Sequence, residues 1–322
     1  MSDSTITDTE LADFAERTIN LPREDAQEQR DKVNVLRERL EKHIEENPGF
    51  SLVKMLHAGS VAKGTALRTV NDLDVAVYVR NDDAPVEEAA LVEWVADRLR
   101  EAYKGLLKPD QIQPNTHCVT VDFRSGLSVD VVPVLYEGEA NDIGYLVSKD
   151  TGERLRTSVR LHLDFIRARK KAHPDHFAQV VRFVKWWVRQ RKAEDDSFKC
   201  KSFMTELIVA HLADQGKAFE PYADALEEVF GYIVQFRLAE RIAFADYYPA
   251  SQLPARGTTP IAIIDPVNPE NNIASQYTAS DRERLVAAAD DALGAIAEAR
   301  FATTKRQAVE CWQIVLGPGF QG

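Results

Sequence analysis

The 322 residues carry 40 Lys and Arg against 51 Asp and Glu, a net charge of −11, and 44% are hydrophobic, enough for one large domain or two lobes with a sizeable core. No run of 18 or more apolar residues occurs and the start, Met1-Ser2-Asp3-Ser4-Thr5, is acidic and polar, so a membrane span and a secretory leader are not expected and the cytoplasm is the expected compartment. Three cysteines, Cys118, Cys200 and Cys311, stand far apart with no Cys-x-x-Cys, which predicts reduced thiols and excludes a disulfide framework or a zinc site.

A polar N-terminal arm leads to Pro22, and from there to about Glu46 the stripe Val33, Leu36, Leu40, Ile44 predicts a long amphipathic helix. Strands are predicted at about 52–57, 72–79, 117–123 and 127–135. A helix near 86–104 interrupts them, with Ala89, Val92, Ala96 and Leu99 inward. Gly59-Ser60 follows the first apolar run and precedes Val61-Ala62-Lys63-Gly64, a turn between strand and short helix. Such a turn exposes backbone N–H groups to a phosphate, with glycine permitting close approach and serine adding a donor. Asp72 and Asp74, at i and i+2 of a strand, point to one face, while Leu73 and Val75 point to the other. A third acid, Asp130, lies in the strand-like run Leu127-Ser128-Val129-Asp130-Val131-Val132. Three carboxylates suffice to hold two Mg²⁺ ions, with Mn²⁺ as an alternative, and such a pair stabilises both the attacking and the leaving oxygen in nucleotidyl transfer. Asp122 is a decoy on a neighbouring strand, lacking the Val-Asp-Val-Val-Pro context of Asp130.

From Thr157 onward the pattern is helical. Phe177, Val180, Val181, Val184 and Val188 form one stripe, and Met204, Leu207, Ile208, His211 and Leu212 the next. Residues 154–192 hold twelve basic and two acidic side chains, a net +10 that leaves −21 for the remainder, and this concentration marks a polyanion site for nucleotide triphosphates or nucleic acid. Residues 246–279 read as one long irregular connection, functional or a lid. Ser280-x-x-Glu283 is expected to open a last long helix as a capping box. The ending Leu316-Gly317-Pro318-Gly319-Phe320-Gln321-Gly322 reads as mobile.

Gly59-Ser60, Asp72-Leu73-Asp74-Val75 and Val129-Asp130-Val131-Val132-Pro133-Val134 together resemble the signature of polymerase-β-type nucleotidyltransferases. Ile264-Asp265-Pro266-Val267-Asn268-Pro269-Glu270-Asn271-Asn272-Ile273 is similar to the aspartate-proline stretch of oligoadenylate synthetases. Within that superfamily the chain most resembles the cGAS/DncV-like nucleotidyltransferases of bacterial CBASS anti-phage systems. Ala66-Leu67-Arg68, Leu161-His162-Leu163-Asp164-Phe165-Ile166, Lys201-Ser202-Phe203-Met204 and Gly319-Phe320-Gln321-Gly322 resemble clade C. The resemblance implies an α+β fold: a nucleotidyltransferase lobe with a mixed sheet over 1–157, braced by the long N-terminal helix, and a helical lobe over 158–322, with the active site in the cleft between.

By the same resemblance, Gly59 and Ser60 hold the triphosphate, Asp72, Asp74 and Asp130 bind the metals, and Asp130 orients or deprotonates the acceptor hydroxyl. Lys185, in Val184-Lys185-Trp186-Trp187, reaches the triphosphate. Ser202 binds phosphate and Phe203 stacks the base, with Lys63 as a further phosphate contact. The expected substrate is ATP, with other NTPs open, and clade C implies a cyclic trinucleotide, all-adenine. An RNA-tailing enzyme of the same fold and a catalytically silent nucleic-acid or partner sensor remain as alternatives. For regulation the resemblance puts a HORMA-domain partner first, double-stranded DNA bound through Arg167, Arg169, Lys170 and Lys171 second, and conjugation of the terminal glycine third.

Overall fold

A computed structural model of the chain describes residues 5–46, 52–69, 72–174 and 176–322; the side chains of Glu45 and Asp72 lie outside the description. It divides into two compact units, Leu21–Asp164 and a second that joins the chain up to Asn20 to Phe165–Gly322. The expected boundary at 157/158 separates two continuous stretches of chain, whereas the observed division returns the N-terminal residues to the helical unit.

The reason is visible in α1 (Asp8–Phe14), which starts at a capping box where Thr7 Oγ1 accepts from the Glu10 N–H at 3.3 Å and Glu10 Oε2 accepts from the Thr7 N–H at 2.8 Å. A π turn over Ala15–Ile19 follows, and Leu11, Phe14, Ala15 and Ile19 are all buried. The expected polar arm is therefore a packed element. Its apolar residues sit at helical spacing, scattered among acids that hide the stripe.

In the first unit α2 (Arg23–Glu46) buries the predicted Val33, Leu36 and Leu40. Then come β1 (Leu52–His57), α3 (Gly59–Lys63), β2 (Asp72–Arg80), α4 (Leu91–Ala102), β3 (Ile112–Pro114), β4 (Val119–Asp122), β5 (Ser128–Tyr136), β6 (Gly144–Val147) and β7 (Arg154–Thr157). The sheet runs β1-β2-β5-β4-β3, with β6 pairing β5 and β7. Within this sheet, among the described residues, only β2 and β5 pair in parallel; the other pairs are antiparallel. The sheet is mixed, as expected. Its alternation places Leu73, Val75, Val129, Val131, Val119 and Val121 in one core with Val92, Val95 and Leu99 of α4. At about 1.5–3 kcal/mol for each fully buried large apolar side chain, this face fixes the register. The opposite face is then free to carry carboxylates. Strands β6 and β7 escaped the sequence reading because β7 is short and edge-like, with Arg154 pairing to Glu88 and to Glu137 at 2.8 Å.

The second unit holds α5 (Val159–Ala172, entering from the first), α6 (His176–Glu194), α7 (Ser202–Asp214), α8 (Tyr222–Phe236), α9 (Ala279–Phe301) and α10 (Lys305–Leu316). A short parallel pair, β8 (Arg241–Ile242) and β9 (Ala262–Ile263), completes it. Three expectations are corrected here. The cap of α9 is Thr278 with Asp281, whose carboxylate accepts from the Thr278 N–H at 2.9 Å, because Glu283 is held instead by Arg237 and Arg282. The connection over 246–279 is no open lid: Ile261, Ile263 and Val267 are buried, Asp265 accepts from the Val267 N–H at 2.8 Å, and Asn272 Oδ1 from the Ile263 N–H at 3.1 Å. Side-chain acceptors replace the missing ladder. The ending is anchored, since Phe320 is fully buried against Phe14, ring centroids 5.2 Å apart, and its carbonyl accepts from Gln313 Nε2 at 2.8 Å. No helix among the described residues is long and apolar enough to cross a membrane.

Candidate active site

On the polar face of the sheet Asp74 lies directly opposite Asp130, because the parallel register of β2 and β5 pairs Asp72 with Ser128, Asp74 with Asp130 and Ala76 with Val132. Two like charges on adjacent strands destabilise a sheet unless something compensates them. Of the predicted acids, Asp72 is placed by its backbone only, its side chain lying outside the described residues.

The first turn of α3 closes over the same carboxylate. Gly59 has φ +65°, and a Cβ built there would fall 1.7 Å from Asp74 Oδ2. Glycine is demanded twice, by the left-handed backbone and by the acid packed against its Cα. The Ala58 N–H donates to the Asp74 carbonyl at 2.8 Å, tying turn to strand, and the Thr65 N–H donates to the Ser60 carbonyl at 2.9 Å, closing the far end. Gly59, Ser60, Asp74 and Asp130 are thus brought together as predicted by spacing. Lys63 is half-buried on the last turn of α3.

A chain of donors that sequence reasoning missed supports Asp130. Thr120, its antiparallel partner on β4, donates from Oγ1 to Asp130 Oδ1 at 2.5 Å, and Asn115 Nδ2 donates to Thr120 Oγ1 at 2.9 Å. With Asn115 on its oxygen, the hydroxyl has its hydrogen left for the carboxylate. Nearby, burial pushes the Cys118 thiol up, and the charges of Asp130 and, more weakly, Asp74 push it further, while its bonds to Asn115 and Thr120 oppose them. All three cysteines are free thiols, as expected. The decoy Asp122 lies on the same face one pair along β4 and accepts from Ser128 Oγ at 2.8 Å, so its carboxylate has a structural partner.

The helical unit departs from expectation at two cations. Lys185, on α6, is buried and its Nζ lies 2.5 Å from Glu206 Oε1 on α7, with side chains 4% and 2% exposed. The ammonium expected at a triphosphate is here neutralised inside the protein. Arg169, expected on a DNA-binding surface, is likewise buried: it bonds to Asp214 at 2.6 Å and Asp246 at 2.8 Å and lies 3.6 Å from the centroid of the Phe165 ring. It is a structural clamp of this unit, because the carboxylates that claim it come from segments 45 and 77 residues away. Arg167 and Lys171 are exposed on the same helix, and Lys170 is half-buried. Ser202 is exposed at the first position of α7, followed by the partly buried Phe203, an arrangement open to a phosphate and a base.

A family model described as the Second Messenger Oligonucleotide or Dinucleotide Synthetase domain matches residues 6–158. The cyclic AMP-AMP-AMP synthase of Escherichia coli (strain MS 115-1) is 49% identical over 313 residues, 97% of either chain. Solved structures of E. coli MS115-1 CdnC superpose with TM-scores of 0.91, in a complex with HORMA-deltaN that covers 100% of both chains, and 0.90, with ATP, covering 98% of this chain and 99% of that one. Both are 48% identical to this chain. A glycine-serine turn laid on paired strand carboxylates, within a chain this similar to an oligonucleotide cyclase along its whole length, belongs to the CD-NTase family of CBASS nucleotidyltransferases.

Proposed function

We propose that this nucleotidyltransferase joins three ATP molecules into cyclic tri-adenylate, a second messenger of anti-phage defence. The observation that carries the reading is the in-register pair Asp74 and Asp130 packed against Gly59, in a chain 49% identical to a cyclic AMP-AMP-AMP synthase. The donor set fits Mg²⁺, since clustered carboxylates on a rigid sheet are the hard oxygen ligands this ion takes. Asp74 and Asp130, together with Asp72 two residues earlier in the chain, would hold two ions, which would supply charge stabilisation at the attacking and leaving oxygens.

The chain's own residues do the rest. The N-terminal turn of α3 at Gly59 and Ser60 presents N–H groups to the triphosphate, and Ser202 and Phe203 take a phosphate and a base face. Asp130, fixed by Thr120, accepts the proton of the acceptor ribose hydroxyl as its oxygen bonds to the α-phosphorus and pyrophosphate leaves. A third such step on the chain's own 5′ end closes the ring. Regulation by a HORMA-domain partner is supported by the complex of the E. coli relative. Duplex DNA as a second activator rests on Arg167, Lys170 and Lys171 alone, now that Arg169 is placed inside the unit.

Incubation of the purified protein with Mg²⁺ and all four NTPs, then phosphatase and mass spectrometry, tests the reading. Phosphatase-resistant cyclic tri-adenylate is expected. A cyclic dinucleotide, elongated RNA from an added primer, or no product with or without a HORMA partner would each overturn it.

A further inference from the structure

Asp130 stands on β5 between two unlike neighbours. On the β2 side its parallel partner is Asp74, a like charge; on the β4 side its antiparallel partner is Thr120, whose hydroxyl donates to Oδ1 at 2.5 Å. The last torsion of an aspartate side chain is soft, with broad and roughly two-fold preferences. Repulsion from Asp74 pushes the Asp130 charge toward β4 but does not fix the plane of the carboxylate. A charge-assisted bond from the far side does, and such O–H···O⁻ bonds are about twice as strong as neutral ones. Oδ2 accepts no hydrogen bond among the described residues and is the oxygen left open.

The donor is itself held. Thr120 has a β-branched side chain with few χ1 choices, and its chain neighbours Val119 and Val121 are fully buried, which keeps the hydroxyl on the carboxylate face. Behind it Asn115 Nδ2 lies 2.9 Å from Thr120 Oγ1. Asn115 is exposed, yet its turn between β3 and β4 is tied down: the Asn115 N–H donates to the Cys118 carbonyl at 2.7 Å, the Lys149 N–H to the Thr116 carbonyl at 2.8 Å, and Thr116 Oγ1 to Asp150 Oδ2 at 2.7 Å. One row along the strands, Ser128 Oγ makes the same kind of bond to Asp122 Oδ1, a carboxylate outside the site.

We infer that Thr120 and Asn115 are positioning residues of the transfer reaction: they hold the Asp130 carboxylate, before any ligand arrives, in the orientation that offers Oδ2 to a divalent ion or the acceptor hydroxyl. Both act through Asp130 alone, Thr120 directly and Asn115 by orienting Thr120. The inference rests on the role given to Asp130 in the cyclase reading.

Titration of Mn²⁺ into the full chain with a non-hydrolysable ATP analogue, followed by electron paramagnetic resonance, reads ion binding; turnover of ATP at saturating Mg²⁺ reads chemistry. Thr120→Val keeps the shape and removes the donor. It should weaken Mn²⁺ binding and lower kcat by about 10–100-fold, the usual range when a partner that orients a metal ligand is lost, with KM for ATP changed by less than about twofold. Thr120→Ser keeps the hydroxyl and should recover most of both losses. Asn115→Ala should cost less, about threefold, because the bond to Asp130 survives and only its orientation loosens. Ser128→Ala, the control, should leave both readings unchanged. Unaltered Mn²⁺ affinity and kcat in Thr120→Val, no recovery in Thr120→Ser, or an equal loss in Ser128→Ala would each overturn the inference. So would a loss that follows the melting temperature across the set, which would mark a structural role. If the unsubstituted chain makes no product, the cyclase reading falls while the Mn²⁺ titration still decides the positioning role.

Discussion

In the sheet, Asp74 and Asp130 stand side by side because hydrophobic alternation leaves them no other face, whereas in the helical unit Lys185 and Glu206 meet across two helices in a buried pair. Both are charged pairs near residues assigned to nucleotide chemistry, yet their physics is opposite. The sheet pair has like charge and gains from a cation. The helix pair has opposite charge and is already satisfied. Like charges set side by side on a sheet favour a cation between them; opposite charges set together inside a helical unit favour each other and hold the helices.

The sharpest way to break the comparison is to remove the two sheet carboxylates. Asp74→Ala with Asp130→Ala should lower product formation by at least about 10³-fold, because the clamp on the reacting oxygens is lost. The melting temperature should hold or rise as like-charge repulsion disappears. Near-normal pyrophosphate release would sink the site; a collapsed melting temperature would instead show that the acids hold the fold.

Gly59→Ala tests the geometry without touching a charge. A Cβ 1.7 Å from Asp74 Oδ2 must displace the carboxylate or unwind the turn, and φ +65° adds strain of about 1 kcal/mol. The expected result is a loss of activity of about 10²-fold with only a small loss of stability. A variant that keeps both would mean that the contact between turn and acid is incidental.

For the helical pair the prediction reverses. Breaking a buried ion pair from one side costs about 3–5 kcal/mol, whereas replacing both partners by apolar groups of similar size is often neutral. Lys185→Met and Glu206→Leu should each lower the urea midpoint strongly, and the double variant should recover most of the loss. If Lys185→Met leaves stability intact but raises KM for ATP, the lysine serves the triphosphate after all.

These contrasts explain what the sequence could disclose. The sheet carboxylates were legible because period-two alternation puts i and i+2 on one face, and Gly-Ser, by itself an ordinary turn, is specific only in combination with them. Thr120 and Asn115 were not, since their role depends on antiparallel register with Asp130, which no local pattern records. The partners of Lys185 and Arg169 come from distant segments, so a run of basic residues looked like a surface when two of its members are interior. The tail misled for a related reason: glycine and proline around Phe320 suggest mobility, and only Phe14, some three hundred residues away, shows that it is packed.

The smallest effect separates the units by pH. Burial holds the His57 imidazole below its ordinary value, with the charges of Arg30 and Arg37 adding to it, and His57 Nε2 lies 3.2 Å from Asn34 Oδ1. Burial also lowers His211 in the other unit, where Asp214 and Glu240 oppose the shift. A histidine with a lowered folded pKa is neutral in both states above the unfolded value of about 6.5. Below it the unfolded chain takes up the proton first, so stability is full above about pH 6.5 and declines as the pH falls toward the folded pKa. Both rings are partly solvated, which keeps each contribution small. His57→Gln should flatten the loss of stability between pH 7.5 and 5.5 without abolishing it, because the His211 share remains, and the double substitution with His211→Gln should flatten it further. Urea midpoints at the two pH values measure this, and identical slopes in all variants would show that neither ring senses the fold.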